Sequence, residues 1–240
     1  MIANIRQISQ QLLNPCFNSP KEVVSWMGAI QGQDYAMAKW AVGIRLKSPT
    51  LRAVEDALAR GEIIRTHVMR PTWHLVAAED IRWMLKLSAQ RIKSANDSFA
   101  KGHGVDISET LFSRCNRLIE KLLEGNKSLT KQEIEAGLAN EGMTVDNRLM
   151  TRFMARAEVE GIVCSGVDKG KKATYALLEE RVPPVKELTK DEALATLALR
   201  YFRSHSPASL TDFVWWSGLS VTEARTAMGL IDSQLVKERF

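Results

Sequence analysis

Two glutamines and an aspartate crowd one short stretch of the chain. AIQGQDYAMAKWAV, residues 29–42, carries Gln31, Gln33 and Asp34 around Gly32, with Tyr35 and Trp40 nearby. Side chains at i and i+2 point apart in a helix but share a side in an extended or turn segment. A helix break at Gly32 would therefore let Gln31 and Gln33 converge. Glutamine neither titrates nor attacks, but its amide oxygen accepts and its NH2 group donates hydrogen bonds. Two such amides can hold a water and turn carbonyl dipoles toward a developing positive charge. That suits a reaction whose transition state is cationic and whose leaving group is already good. The competing reading is a polar turn joining two helices, where Gln and Asp are common.

A second set lies in EIIRTHVMRPTWHLVA, where His67 and His74 stand beside Arg65, Arg70, Thr72 and Trp73. No second ligand sits at metal spacing and no acidic partner at a fixed offset, so no metal is expected. A lone strand histidine is commonly a structural residue. The alternative is the floor of a pocket for an anionic substrate, to which Asp34, His67, Arg70, Trp73 and His74 are assigned. Further along, Arg148, Arg152 and Arg156 recur every four residues and fall on one side of a helix, with Leu149, Met150, Phe153, Met154 and Ala157 on the neighbouring apolar arc. Such a basic stripe reads either as phosphate contact or as a solvated charged face, partly offset by Glu158 and Glu160. Lys169, Lys171 and Lys172 cluster at a predicted hairpin tip and join the DNA-binding candidates; lysines also blunt exposed hairpins. Trp215 and Trp216 follow an apolar helical pattern and read as core.

These residues need a scaffold, and the text around them is helical. In SPKEVVSWMGAI, Ser19 is the N-cap, Pro20 the first helical residue and Glu22 the third. A second helix is expected over roughly 36–46, and a third is capped by Thr50 and stopped by Gly61. Arg70-Pro71 divides the β-branched run that follows into two short strands. Helical pattern resumes over 78–93, then a polar, glycine-bearing linker over 96–104. A second unit holds a helix over 108–123, a helix capped by Ser128 or Thr130, a third helix in TVDNRLMTRFMARAEVEGIV, and two strands around Lys169-Gly170. Three helices and a hairpin make the winged-helix plan, a helix-turn-helix with a β wing. RVPPVKELT is a stiff connection, after which LALRYFRSHSPASLTDFV repeats the grammar of RLIEKLLEGNKSLTKQEI. The expected fold is mainly α with small β-hairpins: winged-helix units at 1–95, 105–181 and 186–240. The third is read as truncated, since LVKERF closes the sequence where its wing would start.

Composition sets outer limits. The chain has 240 residues, 45% hydrophobic and 25% charged, ordinary for a globular protein. Its apolar runs fall short of the roughly 18 residues that cross a bilayer, and the polar start lacks a secretory h-region, so cytoplasmic residence is expected. Thirty-three Lys and Arg against 28 Asp and Glu give a net charge of +5, a modest excess suited to a polyanion only where the charges cluster. Cys16, Cys115 and Cys164 are scattered and read as lone buried thiols, with neither a disulfide framework nor a zinc site.

WMGAIQGQDYAMAKWAVGIRL, then IIRTHVMRPTWHLVAAEDIRWML, then SPASLTDFVWWSGLS together resemble the winged-helix DNA-binding family that includes the AlkZ-type alkylpurine DNA glycosylases. The likeness runs from about residue 5 to the end. It implies tandem winged-helix units followed by a β-rich C-terminal portion, double-stranded DNA as partner, and no metal or cofactor. It also implies cleavage of the N-glycosidic bond of alkylated purines, or of crosslinks, through a Q-x-Q motif whose middle residue is usually apolar. Gln31 and Gln33 match that motif as the catalytic pair. Gly32 in the middle is a departure expected to leave the amides less fixed, and the family's last wing and C-terminal portion are expected to be missing. Three readings follow: a monofunctional glycosylase, a non-catalytic DNA-binding regulator, and an inactive paralogue.

Overall fold

Capping chemistry decides where the helices of this protein begin. The computed structural model describes residues 2–238. After α1 (Ile2–Ser9), Ser19 and Glu22 close a reciprocal capping box at the start of α2 (Pro20–Met27). The two-residue β1 (Ile30–Gln31) leads to α3 (Tyr35–Gly43), and Thr50 caps α4 (Leu51–Ala59) through the backbone of Ala53. Then come β2 (Ile63–His67) and β3 (Trp73–Ala77), followed by a short 3-10 turn and the long α5 (Ile81–Gly102).

The same order recurs. α6 (Glu109–Leu123), β4 (Leu129–Thr130), α7 (Lys131–Asn140), α8 (Asn147–Val159), β5 (Val163–Ser165) and β6 (Thr174–Leu177) form a second block, closed by the single turn α9 (Leu178–Arg181). Of the two candidate caps for α7, Thr130 is the one used, boxed with Glu133. Both sheets are antiparallel with the same layout: β1 pairs with β3, which pairs with β2, and β4 pairs with β6, which pairs with β5. Three further helices, α10 (Lys190–His205), α11 (Leu210–Ser217) and α12 (Val221–Leu230), complete the mainly helical chain. The last two residues, on which part of the expected break in the third unit falls, lie outside the described residues.

The first sheet is buried on both faces, which explains why its strands read as continuous apolar runs. Ile63 and Leu75 point into a core made with α2, α3 and α4. Their neighbours Ile64 and Val76 point the other way, into a core shared with α5, α10, α11 and α12. Each fully buried Ile or Leu contributes about 1.5–3 kcal/mol. The second block has its own core around Ile119, Ile134 and Phe153, where Phe153 meets Phe112 edge to face.

Three expectations are corrected. No linker occupies 96–104: α5 runs through to Gly102, because Ala100 is buried and Asn96 and Asp97 are engaged by arginines of α8. Cys16 is exposed; only Cys115 and Cys164 are buried, and burial pushes both thiols up to about 12. Trp215 is 71% exposed, whereas Trp216 packs on Tyr201 and over Gly28.

Gly218 ends α11 in the left-handed region at φ 68°, and a Cβ there would stand 2.8 Å from the carbonyl oxygen of Met69. This close approach seats α11 on the turn between β2 and β3. Gly218→Ala is expected to lower the unfolding free energy by about 2–4 kcal/mol, combining left-handed strain with overpacking. Gly229→Ala, at a helical site where a Cβ meets nothing, should instead stabilise by up to about 1 kcal/mol. Urea denaturation of the two variants measures the difference.

Candidate active site

The glutamine stretch is an edge strand. Gln31 sits in β1 opposite His74, and the pairing continues past the strand: Gly32 donates its N–H to the Trp73 carbonyl at 2.6 Å. One residue on, the Trp73 N–H reaches the Gln33 amide oxygen at 3.4 Å, a long contact. Gln31 and Gln33 are both exposed and flank a buried Gly32. The backbone here leaves an extended strand at Gln31 and bends at Gln33, and is not a broken helix. The Gly32 carbonyl also accepts from Arg65 Nε at 2.9 Å, so the Gly32 backbone is held at both its N–H and its carbonyl. A Cβ at this position would lie 3.4 Å from the Trp73 oxygen and the His74 backbone, an ordinary contact.

Asp34 has the bland role: its carboxylate caps α3 by accepting from Met37 N at 3.1 Å. Tyr35 donates its hydroxyl to Asp168 at 3.1 Å, tying the start of α3 to the hairpin of the second sheet. Burial raises the Tyr35 hydroxyl well above its usual value and also raises the Asp168 carboxyl. Arg65 lies between two rings, 4.9 Å from the Tyr35 centroid and 4.3 Å from that of Trp73. Its backbone N–H donates to Ser165 Oγ at 2.9 Å, which joins β2 to β5.

Beneath this edge opens a cavity of about 590 Å³, walled by α5, α8 and the residues before α6. Gln33, His67, Trp73, Arg148, Arg152 and Arg156 all contribute to its lining. Gln31 stands next to it on the strand, outside the lining residues. Arg70 points elsewhere, into a shallow hollow with Trp215 and Trp216. His74 is buried beneath the sheet edge with its Nδ1–H donated to the Thr72 carbonyl at 3.0 Å. The assigned pocket set is thus divided: His67 and Trp73 line the cavity, while Asp34, Arg70 and His74 do not.

The arginine stripe does not present one charged face. Arg148 is exposed, and Arg152 is half-buried, donating to the Asn96 carbonyl at 3.3 Å and lying over Phe99. Arg156 is 4% exposed and surrounded by carboxylates: Asp97 at 3.4 Å, Glu109, and Glu160 at 2.9 Å, the last out of line for a hydrogen bond and hence an ionic contact. It is a structural cation welding α5, α6 and α8. At the hairpin tip Lys169 is paired with Glu133 at 2.7 Å, leaving Lys171 and Lys172 as exposed neighbours.

The residue that sequence reasoning placed wrongly is Glu158. Read as part of a solvated face, it is 1% exposed and wedged between His67 and Trp73. Its carboxylate binds His67 Nδ1 and accepts from Trp73 Nε1 at 3.2 Å through both oxygens. The signal was present: Glu158 falls four residues after Met154 and eight after Met150, on the apolar arc. Among the described residues, no group of three or more His, Cys, Asp or Glu is placed to hold a metal ion. No helix described is long and apolar enough to cross a membrane.

A family model described as DNA glycosylase AlkZ-like matches residues 24–239. An interstrand DNA cross-link repair glycosylase of Streptomyces sahachiroi is 24% identical over 224 residues, which is 90% of this chain and 60% of that protein. The chain therefore spans about three-fifths of that relative's length. The solved DNA glycosylase AlkZ of the same organism aligns with a TM-score of 0.75 at 22% identity, covering 98% of this chain and 67% of the other, a likeness of fold.

The histidine under the site makes the fold sensitive to acid. Loss of solvation pulls His74 from 6.5 down to about 4, and the same cause pulls His205 to about 4. Between these values the unfolded chain binds more protons than the folded one, so stability rises with pH and is lost as pH falls from about 6.5 toward 4. His74 alone accounts for roughly 3 kcal/mol across that window. Urea midpoints measured from pH 7 to pH 4 should fall steadily, and His74→Gln should remove about half of the histidine-driven slope.

Proposed function

The chain belongs to the AlkZ-like DNA glycosylase family, and on that footing we propose that it is a monofunctional DNA glycosylase. It hydrolyses the N-glycosidic bond of alkylated purines in double-stranded DNA. The observation that carries this reading is the exposed Gln33 at the lining of the cavity, with the exposed Gln31 two residues before it at the end of the edge strand. An N-alkylated purine already carries positive charge and departs neutral, so no strong general acid is called for. The deoxyribose becomes oxocarbenium-like as the bond breaks. Two neutral carbonyl dipoles aimed at that sugar stabilise it and orient the incoming water, each by roughly 2.7–4 kcal/mol if it acts as a typical preorganised group. This chemistry needs no metal or cofactor. Crosslinked purines are a second substrate class, in keeping with the name of the Streptomyces relative.

The twice-used order of helix, strand, helix, helix and hairpin supports reading 1–95 and 105–181 as winged-helix units, with 186–240 as a third that carries only the helical part. In this reading α7 and α8 form the helix-turn-helix of the second unit. Arg148 and Arg152 at the cavity, and Lys171 and Lys172 at the hairpin tip, supply phosphate contacts, whereas Arg156 and Lys169 act through their carboxylate partners.

Single-turnover release of 7-methylguanine from a methylated duplex tests the proposal. Release by the wild-type protein, with Gln31→Ala and Gln33→Ala each slowed about 100-fold or more, is the expected result. No release by the wild type, or release untouched by both substitutions, would sink it. Duplex affinity should fall steeply with salt, and the double substitution Arg148→Gln, Arg152→Gln should flatten the slope of log K against log salt by about 1–2.

A further inference from the structure

We propose that His67 and Glu158 form a proton-accepting dyad on the cavity wall, and that His67 takes the proton from the water that captures the sugar. The inference rests on the glycosylase reading above. Its basis is geometric. Glu158 is a carboxylate whose side chain is 2% exposed, and its hydrogen-bond donors are the His67 ring and the Trp73 indole. A buried carboxylate is costly unless its oxygens are fully engaged, and here both are. With Nδ1–H given to Glu158, the neutral imidazole carries its lone pair on Nε2. That nitrogen has no partner among the described residues, on a side chain that lines the same cavity as Gln33. A carboxylate that fixes the tautomer and steadies the imidazolium is the logic of acid–base dyads in general.

The surroundings leave this carboxylate and imidazole available. Arg65 from the same strand is stacked on Trp73 and hydrogen-bonded to Gly32. His74 on β3 is buried and held neutral. Across the cavity, Lys93 on α5 is paired with Glu160 at 2.8 Å, and Asp97 with Arg156 at 3.4 Å. Arg152 on α8 leans over Phe99, and Arg70 in the turn faces the other hollow. Trp73 connects the two halves of the site: its backbone N–H touches Gln33, its ring lies tilted against His67 with centroids 4.5 Å apart, and its indole N–H binds Glu158.

In the proposed step the C1′–N bond breaks and its electron pair goes to the purine, cancelling the purine's positive charge. The water oxygen forms the new C1′–O bond while its proton passes to His67 Nε2. The imidazolium, still donating Nδ1–H to Glu158, later returns that proton to solvent. His67 is then a catalytic residue, and Glu158 a positioning residue acting through it.

The test is single-turnover release of 7-methylguanine by wild type, His67→Ala and Glu158→Gln across pH, with duplex affinity and thermal unfolding recorded alongside. Both variants are expected to lose roughly 10- to 100-fold in rate, near or below the lower end for general-base catalysis because bond cleavage dominates the barrier. Affinity should change by less than about 2-fold. The wild-type rate should depend on pH, and that dependence should be absent in His67→Ala. Added imidazole should restore His67→Ala and leave Gln33→Ala slow. Unchanged rates in both variants, or losses that imidazole does not rescue and that leave the pH profile intact, overturn the dyad. If His67→Ala does not fold, Glu158→Gln and the wild-type profile decide: full rate in the former or a flat profile in the latter is fatal. A wild type that releases no base removes the glycosylase reading and the dyad together, whereas a slow Gln33→Ala beside a fast His67→Ala removes the dyad alone.

Discussion

Trp73 is the joint on which the site depends. Its backbone carbonyl receives the Gly32 N–H and its own N–H reaches Gln33, so it extends the pairing of the edge strand beyond the Gln31–His74 register. The ring face carries the Arg65 guanidinium and tilts against His67, and the indole N–H passes to Glu158 on α8 of the second block. Ring stacking of this kind contributes about 0.5–1.5 kcal/mol and a desolvated guanidinium over an indole about as much or more. These energies are small against a whole core. Their effect is local: three chemically different groups are referred to one rigid plane, and each loses freedom that it would otherwise spend wandering at an open rim.

Charge is layered around that plane. Arg148, Lys171 and Lys172 are exposed, Gln31 and Gln33 are exposed neutral amides, and Glu158 is a buried carboxylate. On the proposed function, carboxylates in place of Gln31 and Gln33 would repel a polyanionic substrate, and their strong hydration would have to be stripped at the moment of contact. Amides give a directed dipole without that repulsion. Negative charge is kept at a depth where its neighbours are fixed. Of the acidic residues that line the cavity, Asp97 and Glu109 are tied to Arg156, and Asp106 lies 4.0 Å from Lys101.

Helix starts were legible because their determinants are local. Ser19 with Glu22, Thr50, and Thr130 with Glu133 satisfy orphan backbone N–H groups within one turn of their own position. The strands divided at Arg70-Pro71 were legible for the same reason. What sequence alone could not supply were partners far along the chain. His67 and Glu158 are 91 positions apart, and nothing near either one names the other. Arg156 looks like one member of a basic stripe until α5, continuing eight or so residues past its expected end, brings Asp97 against it. Trp215 shares a helical pattern with Phe213 and still faces solvent, because an eight-residue helix has only one side to bury. Local chemistry fixed where elements begin, and tertiary contact decided which of their polar groups were free.

The distance between the amides and the dyad is therefore a property of how two blocks fit, not of either one. His67 belongs to the first sheet and Gln33 follows its edge strand, while Glu158 belongs to a helix of the second block. Between them run the Arg65 N–H to Ser165 contact at 2.9 Å, the Tyr35 to Asp168 hydrogen bond at 3.1 Å and the Lys93 to Glu160 pair at 2.8 Å. A single hydrogen bond of this sort contributes only about 0.5–1.5 kcal/mol net. Each, however, joins surfaces that their own cores have already ordered, so little further entropy is lost in making it. Several weak bonds between preordered bodies hold a relative position well even when none holds it strongly. Positional accuracy is what a water-capturing site requires, since misplacement by an ångström is enough to cost a large part of the rate.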